Sequence, residues 1–139
     1  MELTIRPVEP RFVQQVWPHV VGYFEDALAK DEGAADYNIH HVQMFLTSGQ
    51  WFMLVAVDEQ GQIHGAASVS FINYPLSRVA FVTAIGGKLI SSEGTFEQLK
   101  TILKQQGATK IQGFGRDAIV RLWKRYEFEP KTTLVEVTL

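Results

Sequence analysis

The chain has 139 residues, one domain's worth and enough to bury a core, with 46% hydrophobic and 20% charged residues, the balance of a folded globular protein and not of a disordered one. A formal charge of -2, with both signs interspersed, excludes a global basic field for nucleic acid, and zero cysteines exclude disulfides, thiol nucleophiles and thiolate metal sites. No apolar run approaches bilayer length, so no membrane partner is expected. Met1–Pro7 lacks a basic stretch followed by an apolar one, so the expectation is an intracellular protein in the cytoplasm of a cell or of an infected cell.

Leu3–Arg6 alternates apolar and polar residues and Pro7 is expected to close this first strand. Pro10 suits a helix start, and Phe12, Val13, Val16, Trp17, Val20, Val21, Phe24 and Leu28 recur at helical steps. Pro18 predicts a kink or a division into two short helices. Residues 31–35 read as a loop, and Asn38 as the N-cap of a second helix ending near Ser48–Gly49. Trp51–Val57, Gln62–Tyr74 and Arg78–Gly86 then form three strands of an antiparallel meander, turning at Asp58–Gly61 and Pro75–Ser77. The small residues Gly65–Ser68 suggest close packing under a helix.

The last third continues as loop (Gly87–Glu93), helix (Thr95–Gln106), Gly107, strand (Thr109–Gly113), helix (Asp117–Tyr126) and final strand (Thr132–Leu139). The whole chain, 1–139, is therefore expected to be a single mixed α+β domain, a sheet of about six strands with helices on both faces.

Three stretches and this element order resemble the GNAT-type N-acetyltransferase superfamily. Leu3-Thr4-Ile5-Arg6-Pro7 is similar to its opening strand, Trp51–Gly86 to its meander, and Asp117–Pro130 to its Asn-x-x-Ala-x-x-Leu-Tyr-x-x-x-Gly-Phe segment. The resemblance implies a GNAT-like fold and, in an active member, acetyl-CoA as cofactor. The coenzyme A pyrophosphate would sit at the helix after the fourth strand, where glycine-spaced backbone N–H groups and the helix N-terminus meet an anion. The residues aligned there are Gly86, Gly87, Lys88, Gly94 and Thr95, without the family's glycine spacing and with Glu93 beside them. The plain alternative is that Gly86–Gly87 breaks the strand and Ser92, Glu93 or Thr95 caps the helix.

The family's proton-donating Tyr aligns with Trp123, whose indole is no acid, leaving Tyr126 one turn on as the candidate catalytic residue. The family's Gly before Phe is here Glu127. No carboxylate or His lies on the fourth strand, and Glu25, Asp26, His40, His41 and His64 read as surface or supporting groups without metal-ligand spacing. Gly113-Phe114-Gly115-Arg116 offers a second anion-binding candidate, with Arg116 at a helix start. Arg121, Lys124 and Arg125 come next as a basic stripe, of the kind that is ordinarily a solvated face rather than a nucleic-acid site.

The Gly-Arg before an aromatic, basic last helix is similar to small GNAT-like proteins encoded among the virion genes of tailed bacteriophages. That resemblance implies a virion or host-cytoplasm protein with a degenerate coenzyme A loop, acting through protein partners or self-assembly. Exposed aromatic residues would anchor the contact. The alternative is an acetyl-CoA-dependent N-acyltransferase, with its amine approaching the Phe24–His41 side, where Glu25, Asp26, Asp31 and Glu32 attract a cation.

Overall fold

The computed structural model describes residues 1–30, 36–114 and 123–139. Its centre is a five-stranded sheet in the order β1 (Thr4–Val8), β2 (Phe52–Val57), β3 (Ile63–Tyr74), β4 (Ser77–Gly87) and β5 (Lys110–Gln112). The first four strands are antiparallel neighbours, and β5 joins β4 in parallel after the crossover through α3 (Glu93–Gln105). Helices α1 (Val13–Lys30) and α2 (Ile39–Ser48) connect β1 to β2.

Strand β2 explains the layering. Its successive side chains point to opposite faces, and both faces are apolar. Leu54 and Ala56 join Leu89, Phe96, Leu99 and Leu103 on the α3 side. Met53 and Val55 join Val13, Val20, Phe24, Val42 and Leu46 on the side of α1 and α2. A strand sandwiched this way must be a continuous apolar run, and Phe52–Val57 is one.

Local chemistry sets the helix ends. Asn38 Oδ1 accepts from the amides of His40 and His41, while His41 Nδ1 accepts from the Asn38 amide, and Gly49 closes α2 in the left-handed region. Gly107, with φ 86°, comes after α3 as expected. The turn between β2 and β3 is built on Asp58, whose Oδ1 accepts from the amides of Gln60 and Gln62.

Several expectations are corrected. Pro7 does not end β1 but pairs with Leu54 inside it; β1 is a sheet edge, where a missing N–H costs no ladder bond. Pro18 does not split α1 into two helices. It lies on the exposed face, so the carbonyl left without an amide partner meets water, while Val13, Val20 and Phe24 hold the opposite face in the core. A short 3-10 turn, Pro10–Phe12, precedes α1. Of the small residues Gly65–Ser68, Ala66 packs under α1 and α2 as expected, whereas Gly65 packs under the backbone of Lys88 and Leu89, where a β-carbon would come within 2.5 Å of the Leu89 nitrogen.

The expected final strand, Thr132–Leu139, is not part of the sheet: residues 128–139 form no strand, and 129–139 are exposed, so the sheet has five strands where about six were expected. The expected loop at 31–35 and most of the expected helix Asp117–Tyr126 lie outside the described residues; Lys124–Tyr126 is a 3-10 turn.

That turn ends at Glu127, the one non-glycine residue with positive φ (68°) among those described. An L-residue there carries a steric cost of roughly 1–2 kcal/mol that glycine avoids. Glu127→Gly is expected to stabilise the fold by about 1 kcal/mol, offset in part by glycine's freedom in the unfolded chain. Denaturant unfolding will check this, and a loss of stability would mean that the Glu127 side chain makes a contact worth more than the strain.

Candidate functional site

The site forms where β4 and β5 part. They pair only from Val79↔Lys110 to Phe81↔Gln112, whereas β4 runs on to Gly87. Over the remaining residues β4 is bonded to β3 on one side, and among the described residues no strand pairs with its other edge.

A bulge aims this open stretch. Ser68 pairs with Ala84 and Val69 with Val82, so Thr83 is the extra residue. The bulge reverses the facing of the rest of the strand: Ala80 lies in the α3-side core, yet Ala84, four residues on, lies in the opposite core. Thr83 is buried, and its Oγ1 lies 2.9 Å from the Ser68 carbonyl and 2.8 Å from the Ser68 hydroxyl. Donating to the carbonyl leaves it free to accept from the hydroxyl. The Tyr37 hydroxyl donates to the Thr83 carbonyl. Sequence reasoning gives none of these three residues a role at the site; a lone Thr in the run Phe81–Ile85 is the only trace of the bulge.

At the end of β4 the chain presses against α1. A β-carbon on Gly86 would collide with the Tyr23 carbonyl, and Gly87, with φ 66°, sits over the Tyr23 ring. The Lys88 amide then donates to the His64 carbonyl at 2.8 Å, and Leu89 drops fully into the core. Between this loop, the N-terminus of α3 and the first residues of the chain lies a cavity of 830 Å³, whose lining includes Leu3, Gly87, Lys88, Ile90, Gly94 and Thr95. Gln98 ties its walls together, its Oε1 accepting from the Ile5 amide at 2.8 Å.

Four of the residues singled out from sequence, Gly87, Lys88, Gly94 and Thr95, thus share one cavity wall, and Gly86 stands directly behind. Arg116 lies outside the described residues. Tyr126 packs with its ring tilted against Phe96 at 5.0 Å, half-buried against the α3-side core, and Trp123 packs on Phe128 at 5.1 Å and over Gly113. Glu25 and Asp26 are exposed on α1. Among the described residues no three His, Asp or Glu side chains converge as a metal site would require, and no helix is long and apolar enough to cross a membrane.

The helix N-terminus in this cavity is already engaged. Ser92 Oγ accepts from the Thr95 amide at 3.2 Å, and Thr95 Oγ1 accepts from the amides of Ser91 and Ser92, each at 3.1 Å. The Thr95 hydroxyl in turn donates to the Ser92 carbonyl. This reciprocal box satisfies donors that an anion would otherwise attract. It leaves the amides of Glu93 and Gly94 outside it, next to the Glu93 carboxylate. Losing the Ser92 hydroxyl removes one side of the box, so Ser92→Ala is expected to cost about 1 kcal/mol in unfolding free energy; an unchanged midpoint would show that the cap contributes nothing.

Behind the loop, His64 Nε2 donates to Asp58 Oδ2 at 2.7 Å. This bond chiefly, with the amides of Gln62 and Gln60, holds the Asp58 carboxyl below its ordinary range. A carboxylate favoured in the folded state adds stability above its unfolded pKa, near pH 4, and loses it as pH falls through its lower folded value. Replacing His64 with Ala is expected to raise the Asp58 pKa and to move the onset of acid unfolding to higher pH. Carboxyl NMR titration reads both proteins, and an unmoved Asp58 would assign the effect to the two amides.

The likeness of this chain to known proteins is one of fold. No protein-family model and no curated protein sequence matches the chain. Solved structures do. A predicted acetyltransferase from Clostridium acetobutylicum, crystallised with acetyl-CoA, aligns with a TM-score of 0.66 at 15% identity over 99% of this chain and 96% of its own. An aminoglycoside acetyltransferase from an uncultured soil metagenomic sample aligns at 0.70 and 14%, over 100% and 99%. A GCN5-related N-acetyltransferase from Ralstonia eutropha aligns at 0.66 and 14%, over 99% of each chain. The chain has the GNAT fold, a mixed sheet with helices on both faces.

Proposed function

We propose that this chain is a GNAT-fold protein that works through protein contacts and does not turn over acetyl-CoA. The observation that carries this reading is the capping box at the start of α3. The hydroxyls of Ser92 and Thr95 take the amides of Ser91, Ser92 and Thr95, in the place where the fold's active members hold a diphosphate. A pyrophosphate fits poorly there, since the helix start leaves it only the amides of Glu93 and Gly94, beside the Glu93 carboxylate. The aromatic residues near the end of the chain support the same reading. In sequence Trp123 aligns with the family's acid, and Tyr126 packs against Phe96 with its ring tilted, as a packing residue does. The phage-type resemblance favours a virion or host protein as the partner.

A second reading, an acetyl-CoA-dependent N-acyltransferase, is favoured by the parting of β4 and β5 and by the 830 Å³ cavity beside Lys88. The neighbour crystallised with acetyl-CoA supplies the ligand to try.

Thermal unfolding with and without millimolar acetyl-CoA separates the two. A ligand specific for the native state adds about 2.7 kcal/mol at a hundredfold excess over its dissociation constant. The expected result is an unmoved midpoint and no acetylation of an amine panel that includes aminoglycosides. A raised midpoint that Lys88→Ala abolishes, together with turnover that Tyr126→Phe lowers, would overturn the first reading in favour of the second.

A further inference from the structure

We infer that the cap of α2 is a pH-operated latch: while the His41 ring is neutral the cap holds Tyr37 against the β4 bulge, and protonation of that ring releases it. The inference is independent of whether coenzyme A is turned over.

The latch rests on the residue type at one position. A capping box ordinarily has Glu or Gln at the third helical residue, and both are acceptors at neutral pH. Here that residue is His41, and its Nδ1 lies 3.0 Å from the Asn38 amide nitrogen. An amide N–H can only donate, so Nδ1 keeps its lone pair and the ring proton sits on Nε2. Imidazolium has no acceptor. Protonation therefore ends this bond, and it also adds positive charge to a first turn whose amides already carry partial positive charge. Both effects loosen the cap. The side chain is exposed, so protons reach it, and histidine changes charge between about pH 5 and 8.

No ion pair among the described residues takes up the added charge. Of the elements packed against α2, α1 carries His19, Glu25, Asp26 and Lys30, and β2 carries no charge. The 3-10 turn carries Arg11, which is held by Glu9 at 2.8 Å. Asp36 and His40 lie on the same segment as His41, and neither they nor the groups of α1 pair with it.

Tyr37 immediately precedes the cap residue, so what fixes Asn38 also places Tyr37. Its hydroxyl donates to the carbonyl of Thr83, the extra residue of the bulge. Its ring meets Trp51 edge-on at 5.0 Å, and Trp51 packs on Phe45 of α2 at 4.8 Å. Tyr37 thus ties the start of α2 to the open stretch of β4. Without the His41 bond, Asn38 is held only through its Oδ1, which accepts from the amides of His40 and His41. Because the closed cap takes only the neutral ring, protons compete with it. The latch is closed at the upper end of the histidine range and opens as pH falls.

An NMR titration from about pH 8 to about pH 5 tests this. In the unaltered chain the Asn38 amide proton should move upfield as its bond is lost. The Thr83 carbonyl carbon should move with it, and both should share the midpoint of the His41 ring. In His41→Gln, whose side-chain oxygen accepts throughout this range, both signals should stay still. His41→Ala should hold both near their low-pH positions at every pH, and His40→Ala should titrate as the unaltered chain does. An Asn38 amide that stays still while the His41 ring titrates would overturn the inference. A Thr83 carbonyl that ignores the Asn38 step, or a His41→Gln variant that keeps both movements, would overturn it as well.

Discussion

Strand β4 has two partners with conflicting demands. It must stay in antiparallel register with β3 almost to its end, because its small and apolar residues fill both cores. It can stay parallel to β5 for only three residues. The conflict falls at Thr83, where the bulge adds a residue and reverses the facing of the rest of the strand. The gap between the strands, the change of facing between Ala80 and Ala84, and the exit at Gly86–Gly87 all descend from that event. Polar satisfaction makes the bulge stable. Thr83 and Ser68 answer each other, and Tyr37 takes the Thr83 carbonyl, so no buried hydroxyl there is left without a partner.

The N-terminus of α3 illustrates a choice that every helix start imposes. Its first amides lack intrahelical acceptors, so either an anion or the chain's own side chains must meet them. Here the Ser92 hydroxyl meets the Thr95 amide, and the amides of Glu93 and Gly94 stand beside the Glu93 carboxylate, a helix start of ordinary electrostatics. A sheet and two apolar layers depend on periodicity, which many sequences satisfy. A phosphate cradle depends in addition on backbone N–H groups placed at particular spacings.

Closure of the sheet is the other matter that this chain treats unusually. Its β1 edge carries Pro7, which withholds a donor from any added strand. The β5 edge has no such guard among the described residues, and residues 132–139 lie outside the sheet.

By itself the sequence determined whatever depends on neighbours along the chain. Asn38 as a cap, Gly49, the Asp58 turn, Gly107 and the limits of the meander could be read because caps and turns act over three or four residues. The doubly apolar β2 likewise announced a sheet covered on both faces. Legibility failed where the outcome hangs on the far side of the fold. Whether Pro7 interrupts a strand depends on its being an edge, and whether Pro18 divides a helix depends on which face meets water. Glycines and a lysine near a helix start do not show along the chain that Gly87, Lys88, Gly94 and Thr95 come to share one cavity wall. The Thr83 bulge, the bond from His64 to Asp58, and the fate of Thr132–Leu139 were settled only by tertiary structure. Each requires knowing which strand lies opposite, and strand pairing joins residues too far apart for any local pattern to record it.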